Sequence, residues 1–114
     1  MISKIHRFHG YGSLNYLYRH GSVVRGPLCS IKYLDNPKRN TYRLAVVVSK
    51  KVHKSAVVRN RIRRRIFEVV RHHEDKLNNP HDIVITVFHE SIATIPHEEL
   101  KTMIRTQLSQ AKII

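Results

Sequence analysis

"VVRNRIRRRIFEVVR", residues 57–71, places six arginines in the thirteen positions from Arg59 to Arg71, yet its apolar residues keep a helical rhythm. At about 100° per residue, Val58, Ile62, Ile66 and Val69 fall in one narrow stripe, the face that a helix lays against a sheet. Asn60, Arg64, Phe67 and Arg71 lie opposite, Arg61 and Arg65 flank one side of the stripe, and Arg63 continues round the other. Positive charge therefore covers most of the helix outside its core seam. A helix shaped for stability alone intersperses signs so that residues four apart attract, whereas Arg61 and Arg65 repel and Glu68, one turn from Arg64, relieves a single charge. The pattern predicts a packed helix whose outer surface stays basic for a partner, in preference to a merely solvated face. It should run to about Leu77, where "NNP" at 78–80 stops it.

Outward from this helix, the rest of the chain reads as short regular elements. "LAVVV" at 44–48 lies within a β-prone stretch, 43–49, and is nearly continuous in apolar residues, which predicts a central strand covered on both faces. A second β-prone stretch, 28–34, precedes it, and the turn formers of "DNPKRNT" at 35–41 suggest that the two form a hairpin with a long basic loop. Ser13 is placed to cap a first helix on which Leu14, Leu17 and Tyr18 share a face, and Gly21 to end it in the left-handed conformation. After the arginine helix, "HDIVITVF" at 81–88 is a third strand. Pro96, Glu98 and Glu99 then open a last helix that buries Leu100, Met103, Ile104 and Leu108. The order α-β-β-α-β-α, without repeats or a long linker, implies one α+β domain over 1–114 with helices packed on a single sheet.

Composition narrows the partner. With 114 residues, 21 Lys plus Arg stand against 8 Asp plus Glu, a formal charge of +13. Such an excess costs self-repulsion in the folded state, so a polyanion is expected to offset it. An anionic membrane is the weaker candidate, because the apolar face of the basic helix is committed to a core and the longest apolar runs fall far short of the ~20 residues of a span. No apolar signal segment opens "MISKIHRFHG", and the single cysteine, Cys29, permits no internal disulfide, so a reducing cytoplasm is expected.

Nucleic acid is the stronger candidate. Arginine's planar fork holds two phosphate oxygens at once and stacks on bases, and Asn60 adds a donor and an acceptor among the forks. No leucine heptads follow the basic segment and no helix-turn-helix pair is evident, which disfavours sequence-specific DNA binding. RNA helices, contacted chiefly through phosphates and shape, suit a rigid arginine face. Protein-borne catalysis finds little support: the acids are scattered, with Asp82 and Glu90 near a strand end. The histidine sets His6 with His9, His72 with His73, and His89 with His97 lack the spacing that specifies zinc. Neither a catalytic nor a metal site is expected. An RNA-binding subunit, a ribosomal or other structural RNA-binding protein, and more remotely a histidine-dependent nuclease remain as readings of these features.

"AVVRNRIRRRIF" at 56–67, preceded by "VVVSKK" at 46–51, resembles the signature of the bacterial ribonuclease P protein family, and "RFHGYGSLNYLYRHGS" at 7–22 is similar to that family's N-terminal segment. The resemblance implies an α-β sandwich of ribosomal-protein-like fold with a left-handed βαβ crossover. It further implies an accessory subunit of an endoribonuclease that removes the 5′ leader of precursor tRNA. In that family a catalytic RNA subunit performs the cleavage with Mg²⁺, which the RNA mainly holds; the protein binds no cofactor tightly and sits as a monomer in a 1:1 ribonucleoprotein. By position, Arg59, Asn60, Arg61, Arg63 and Arg64 match the motif facing the catalytic RNA, and Arg65, Lys50, Lys51 and Lys54 extend that basic surface. Leu14 and Tyr18 fall where the family often lines its leader cleft with aromatics, Leu14 departing from that pattern, and Tyr33, Val46 and Val48 are assigned to the same cleft. Phe67 stands where many members carry another arginine. A cleft of this kind needs an apolar or aromatic floor with basic walls, since stacking and phosphate attraction are both blind to sequence.

Overall fold

The computed structural model describes residues 11–78 and 80–114. Its elements run α1 (Tyr11–His20), β1 (Ser22–Arg25), β2 (Cys29–Asp35), β3 (Arg43–Val47), α2 (Ala56–His72), β4 (His81–Val87) and α3 (His97–Gln110), with 3-10 turns at Glu74–Lys76 and Glu90–Ala93. The class is α+β with one four-stranded sheet, as the sequence predicts, and β1 is an added short strand.

Strand order is where the sequence reading fails. The sheet runs β1-β2-β4-β3, so β2 and β3, expected as a hairpin, are separated by β4. β4 pairs antiparallel with β2 and parallel with β3. Parallel neighbours need a crossover, and α2 supplies it. β4, buried at every position but Thr86, is the central strand, whereas β3 is an edge strand with Val47 exposed. Two near-continuous apolar runs compete for the centre, and the longer one, able to pair on both sides, takes it.

The main core lies on one face of this sheet. Val24, Ile31, Ile85 and Val46 form one cross-strand row and Tyr33, Ile83 and Leu44 the next. Ile62, Ile66, Val69 and Val70 of α2 and Leu100, Ile104 and Leu108 of α3 pack onto these rows, all fully buried. At about 1.5–3 kcal/mol for each buried aliphatic side chain, this seam is what holds α2 in place and so fixes where its arginines point. α1 lies on the opposite face, where Leu17 meets Val84, with Leu14, Leu34 and Ala45 partly buried around them.

Local geometry explains the element ends. The Ser55 side chain caps α2 by accepting from the Val58 N–H. α2 stops at His72, short of Leu77, because His73 leaves helical geometry at φ −104°, ψ 2° and buries its ring, with Nδ1 2.8 Å from the Val69 carbonyl oxygen. Ser13 stands inside α1 rather than ahead of it. Gly21 does end α1, its N–H donating to the Leu17 carbonyl at 2.8 Å, but not through a left-handed turn. A Cβ there would sit 2.7 Å from that carbonyl oxygen and 2.8 Å from Leu17 Cδ1, so close approach is what requires glycine. α3 closes with Lys112 N–H donating to Ser109 and Ile113 N–H to Leu108, a Schellman motif that forces Lys112 to φ 59°.

β1 is held from outside the sheet as well as by pairing. Gln107 of α3, buried, donates through Nε2 to the carbonyls of Cys29 at 3.1 Å and Val24 at 3.4 Å, on the two strands that the Gly26 turn joins. Its Oε1 accepts from Cys29 Sγ at 3.4 Å. Burial pushes the Cys29 thiol up to about 11, only partly opposed by that hydrogen bond.

Candidate nucleic-acid interface

With the core seam buried, the α2 arginines divide into two groups by what they touch. Arg65, half-buried, donates to the Ile92 carbonyl at 2.6 Å and the Ile95 carbonyl at 2.5 Å, tying α2 to the turn before α3. Arg59 donates to the carbonyls of His53 at 3.0 Å and Lys54 at 2.9 Å, closing the connection from β3. Arg63 donates to Asn60 Oδ1 at 2.7 Å, which steadies its fork on the outer face, and to the Val48 carbonyl at 3.4 Å. Arg61 and Arg64 are exposed and line one surface groove with His72 and His97. Glu68 pairs with Arg71 at 2.9 Å, not with Arg64, and the Arg71 guanidinium holds its carboxyl well below the usual carboxylate range. The acid that breaks the basic surface is thereby neutralised at the far end of the helix.

Lys50, Lys51 and Lys54 lie exposed in the connection between β3 and α2, where the Val52 N–H donates to the Ser49 carbonyl. His53 in the same connection has Nδ1 accepting from the Ser55 N–H and Nε2 3.6 Å from Glu90, which braces this loop against the turn that Arg65 anchors. A continuous basic strip thus runs from the β3 end onto α2.

Among the described residues, α1 covers only part of its sheet face. Cross-strand rows on this face read Val23, Lys32, Val84, Ala45 and then Arg25, Ser30, Thr86, Val47. α1 packs on Val84, Leu34 and Ala45, whereas Val23, Arg25 and Val47 stay exposed. Tyr18, 43% exposed, forms the wall on the α1 side: the Lys32 ammonium donates to its backbone carbonyl and lies 5.6 Å from its ring centroid. Aromatic wall, aliphatic floor and cations at the edges are what a single strand of nucleic acid requires.

Of the residues expected in this cleft, Tyr18 is at its wall and Leu14 is under α1 against the sheet. Tyr33, Val46 and Val48 are on the other face. Val46 is 8% exposed and Val48 4%, both inside the main core, and Tyr33 packs against that core beside His81. Strand side chains alternate, so a choice displaced by one residue selects the wrong face. The residues that face α1 and the open floor are Lys32, Leu34, Ala45 and Val47, each one position away. Alternation around the buried Cys29 and Ile31 would have found them had β2 been placed in register.

Asp82, buried at the α1 end of that face, accepts three hydrogen bonds from two residues. Arg43 binds both its oxygens at 2.8 Å, and Asn36 Nδ2 donates to Oδ2 at 2.9 Å. Among the described residues no three His, Cys, Asp or Glu side chains converge as metal ligands would. His73 is buried, His72 and His97 meet edge to face at 6.3 Å, and the His6–His9 pair lies outside the described residues.

The family model described as Ribonuclease P matches residues 2–112. A ribonuclease P protein component from Prochlorococcus marinus is 32% identical over 89 residues, covering 68% of this chain and 70% of the relative. One from Synechococcus elongatus is 34% identical, covering 75% and 73%. Among solved structures, a mutant Staphylococcus aureus RNase P protein superposes with a TM-score of 0.86 at 23% identity, covering 97% of this chain and 92% of that one. The Thermotoga maritima RNase P protein gives 0.81 at 18% identity, covering 91% and 96%. The fold is shared with these structures, and by sequence the chain belongs to the ribonuclease P protein family.

Proposed function

We propose that this chain is the RNA-binding protein subunit of a ribonuclease P, acting in the cytoplasm as one copy beside one catalytic RNA. Arg61, Arg64 and the lysines at 50, 51 and 54 neutralise phosphates of that RNA, with Asn60 and the steadied forks of Arg59 and Arg63 reading its backbone geometry. Arg65 contributes through the donors its two carbonyl contacts leave free. The open half of the sheet, walled by Tyr18 and Lys32, holds the 5′ leader of precursor tRNA, its bases stacking on the aromatic wall and its phosphates drawn to Lys32 and Arg25. The RNA and the Mg²⁺ it holds carry out the cleavage, and the protein's side chains bind and orient. The observation that supports this most directly is the basic strip facing outward from a helix that its own core seam holds rigid.

The test is reconstitution of the full chain with a ribonuclease P RNA and measurement of precursor-tRNA cleavage at low Mg²⁺. Stimulation only in the presence of the RNA is expected; cleavage by the chain alone, or no stimulation, rejects the proposal. Tyr18→Ala should leave assembly intact and reduce the preference for precursor over mature tRNA by roughly 5-fold or more, the low end of one lost stacking contact. An equal loss for both tRNAs would reject the leader assignment.

A further inference from the structure

The outer line of α2 is not uniformly basic. Residues 57, 60, 64 and 67 follow one another at steps of three and four, so they share one line along the helix. Val57 at its start is 69% exposed, and Phe67 at its end only partly covers the edge of the core. Together with Asn60, Arg63 and Arg64, these two apolar residues line a groove of about 530 Å³. Phosphate neutralisation gives no reason for an apolar floor between guanidinium walls, because an apolar surface gains nothing from a hydrated anion. A nucleobase does, since it presents a π-face to Phe67 while its own phosphates stay within reach of the forks. The hydrogen bond from Arg63 to Asn60 Oδ1 keeps one fork at the rim, so the groove is walled before any partner arrives.

We infer that this groove receives unstacked nucleobases of the RNA partner, one laid on Phe67 and a neighbouring one reaching Val57, about 15 Å along the helix, while Arg63 and Arg64 hold the intervening phosphates. The inference rests on the RNA-binding reading above and adds to it a contact made by a base rather than by the backbone. It also gives Phe67, which interrupts the run of arginines, a role in binding.

The chain has no tryptophan, so Phe67→Trp creates a single fluorescent reporter inside the groove. The full-length variant is titrated with the catalytic RNA, with a single-stranded oligoribonucleotide, and with inorganic polyphosphate as a probe that has charge but no bases. Both RNAs are expected to quench the emission by half or more and polyphosphate to leave it nearly unchanged. Thr102→Trp on the exposed face of α3 should respond to none of the three. In parallel, Phe67→Ala should weaken RNA binding by about 5- to 100-fold with the salt dependence unaltered, because a stacked base releases no counterion. Phe67→Tyr should restore the affinity. Val57→Ser, at a position too exposed to affect folding, should weaken binding by a few-fold. Equal quenching by polyphosphate, or wild-type affinity in both Phe67→Ala and Val57→Ser, overturns the inference. If Arg61→Ala with Arg64→Ala is also without effect, the RNA-binding reading fails as a whole; if that pair weakens binding while the apolar variants do not, only the base contact fails.

Discussion

Replacing arginines on α2 should separate those that serve binding alone from Arg65, which also serves the fold. Arg61→Ala with Arg64→Ala removes two exposed guanidiniums that line an outer groove, so the chain should fold as before. If each meets one phosphate, the log-log dependence of RNA affinity on salt should flatten by about 1.4–1.8, from roughly 0.7–0.9 per neutralised phosphate. At ~0.15 M salt that corresponds to about 15- to 30-fold weaker binding. Arg65→Ala is the contrasting perturbation. It leaves the half-buried carbonyls of Ile92 and Ile95 without their charged donor, at about 1.5–3 kcal/mol for each charge-assisted bond before relaxation. A net loss of about 2–4 kcal/mol should lower Tm by roughly 8–17 °C in a domain of this size. The assays are filter binding or anisotropy across a salt series for affinity, and circular-dichroism melting for stability. A salt slope left unchanged by the Arg61 and Arg64 pair, or a wild-type melting curve for Arg65→Ala, would refute the division.

Asp82→Ala removes the carboxylate that the largely buried Arg43 guanidinium holds through two hydrogen bonds and should cost about 3 kcal/mol in urea unfolding. A loss under 1 kcal/mol would mean that the pair contributes nothing to joining β3 to β4. The Cys29 thiol is raised in the folded chain from the ordinary 9.0 to about 11, so folding favours its protonated form. That stability is fully present below pH 9 and is lost as pH rises towards 11, on the order of 2 kcal/mol, and Cys29→Ala should show a shallower decline over the same window. Identical pH profiles for the two chains would discount it. Lys112→Gly relieves a lysine held at φ 59° and should stabilise the chain by about 0.5–1 kcal/mol, whereas a destabilised variant would show the lysine stem to be packing usefully.

Local features are legible in the order of residues. The spacing of Val58, Ile62, Ile66 and Val69 makes α2 a helix with one apolar seam, because residues three and four apart share a face whatever lies around them. For the same reason residue order fixed the basic outer surface, the burial of Leu100, Ile104 and Leu108 on α3, and the strand at 81–87; the motif at 56–67 identified the family. Which strands are neighbours depends on long-range packing. Inserting β4 between β2 and β3 depends on contacts across dozens of residues, and α2 bridging the parallel pair is what makes that order possible. β1 is legible only once β2 and Gln107 are in place to pair with it. Register decides the sheet face as well, since a shift of one residue exchanges Tyr33, Val46 and Val48 for Lys32, Ala45 and Val47. So too for the arginines: composition made them equivalent, and only the packed turn before α3 draws Arg65 onto two carbonyls while Arg61 and Arg64 remain at the surface.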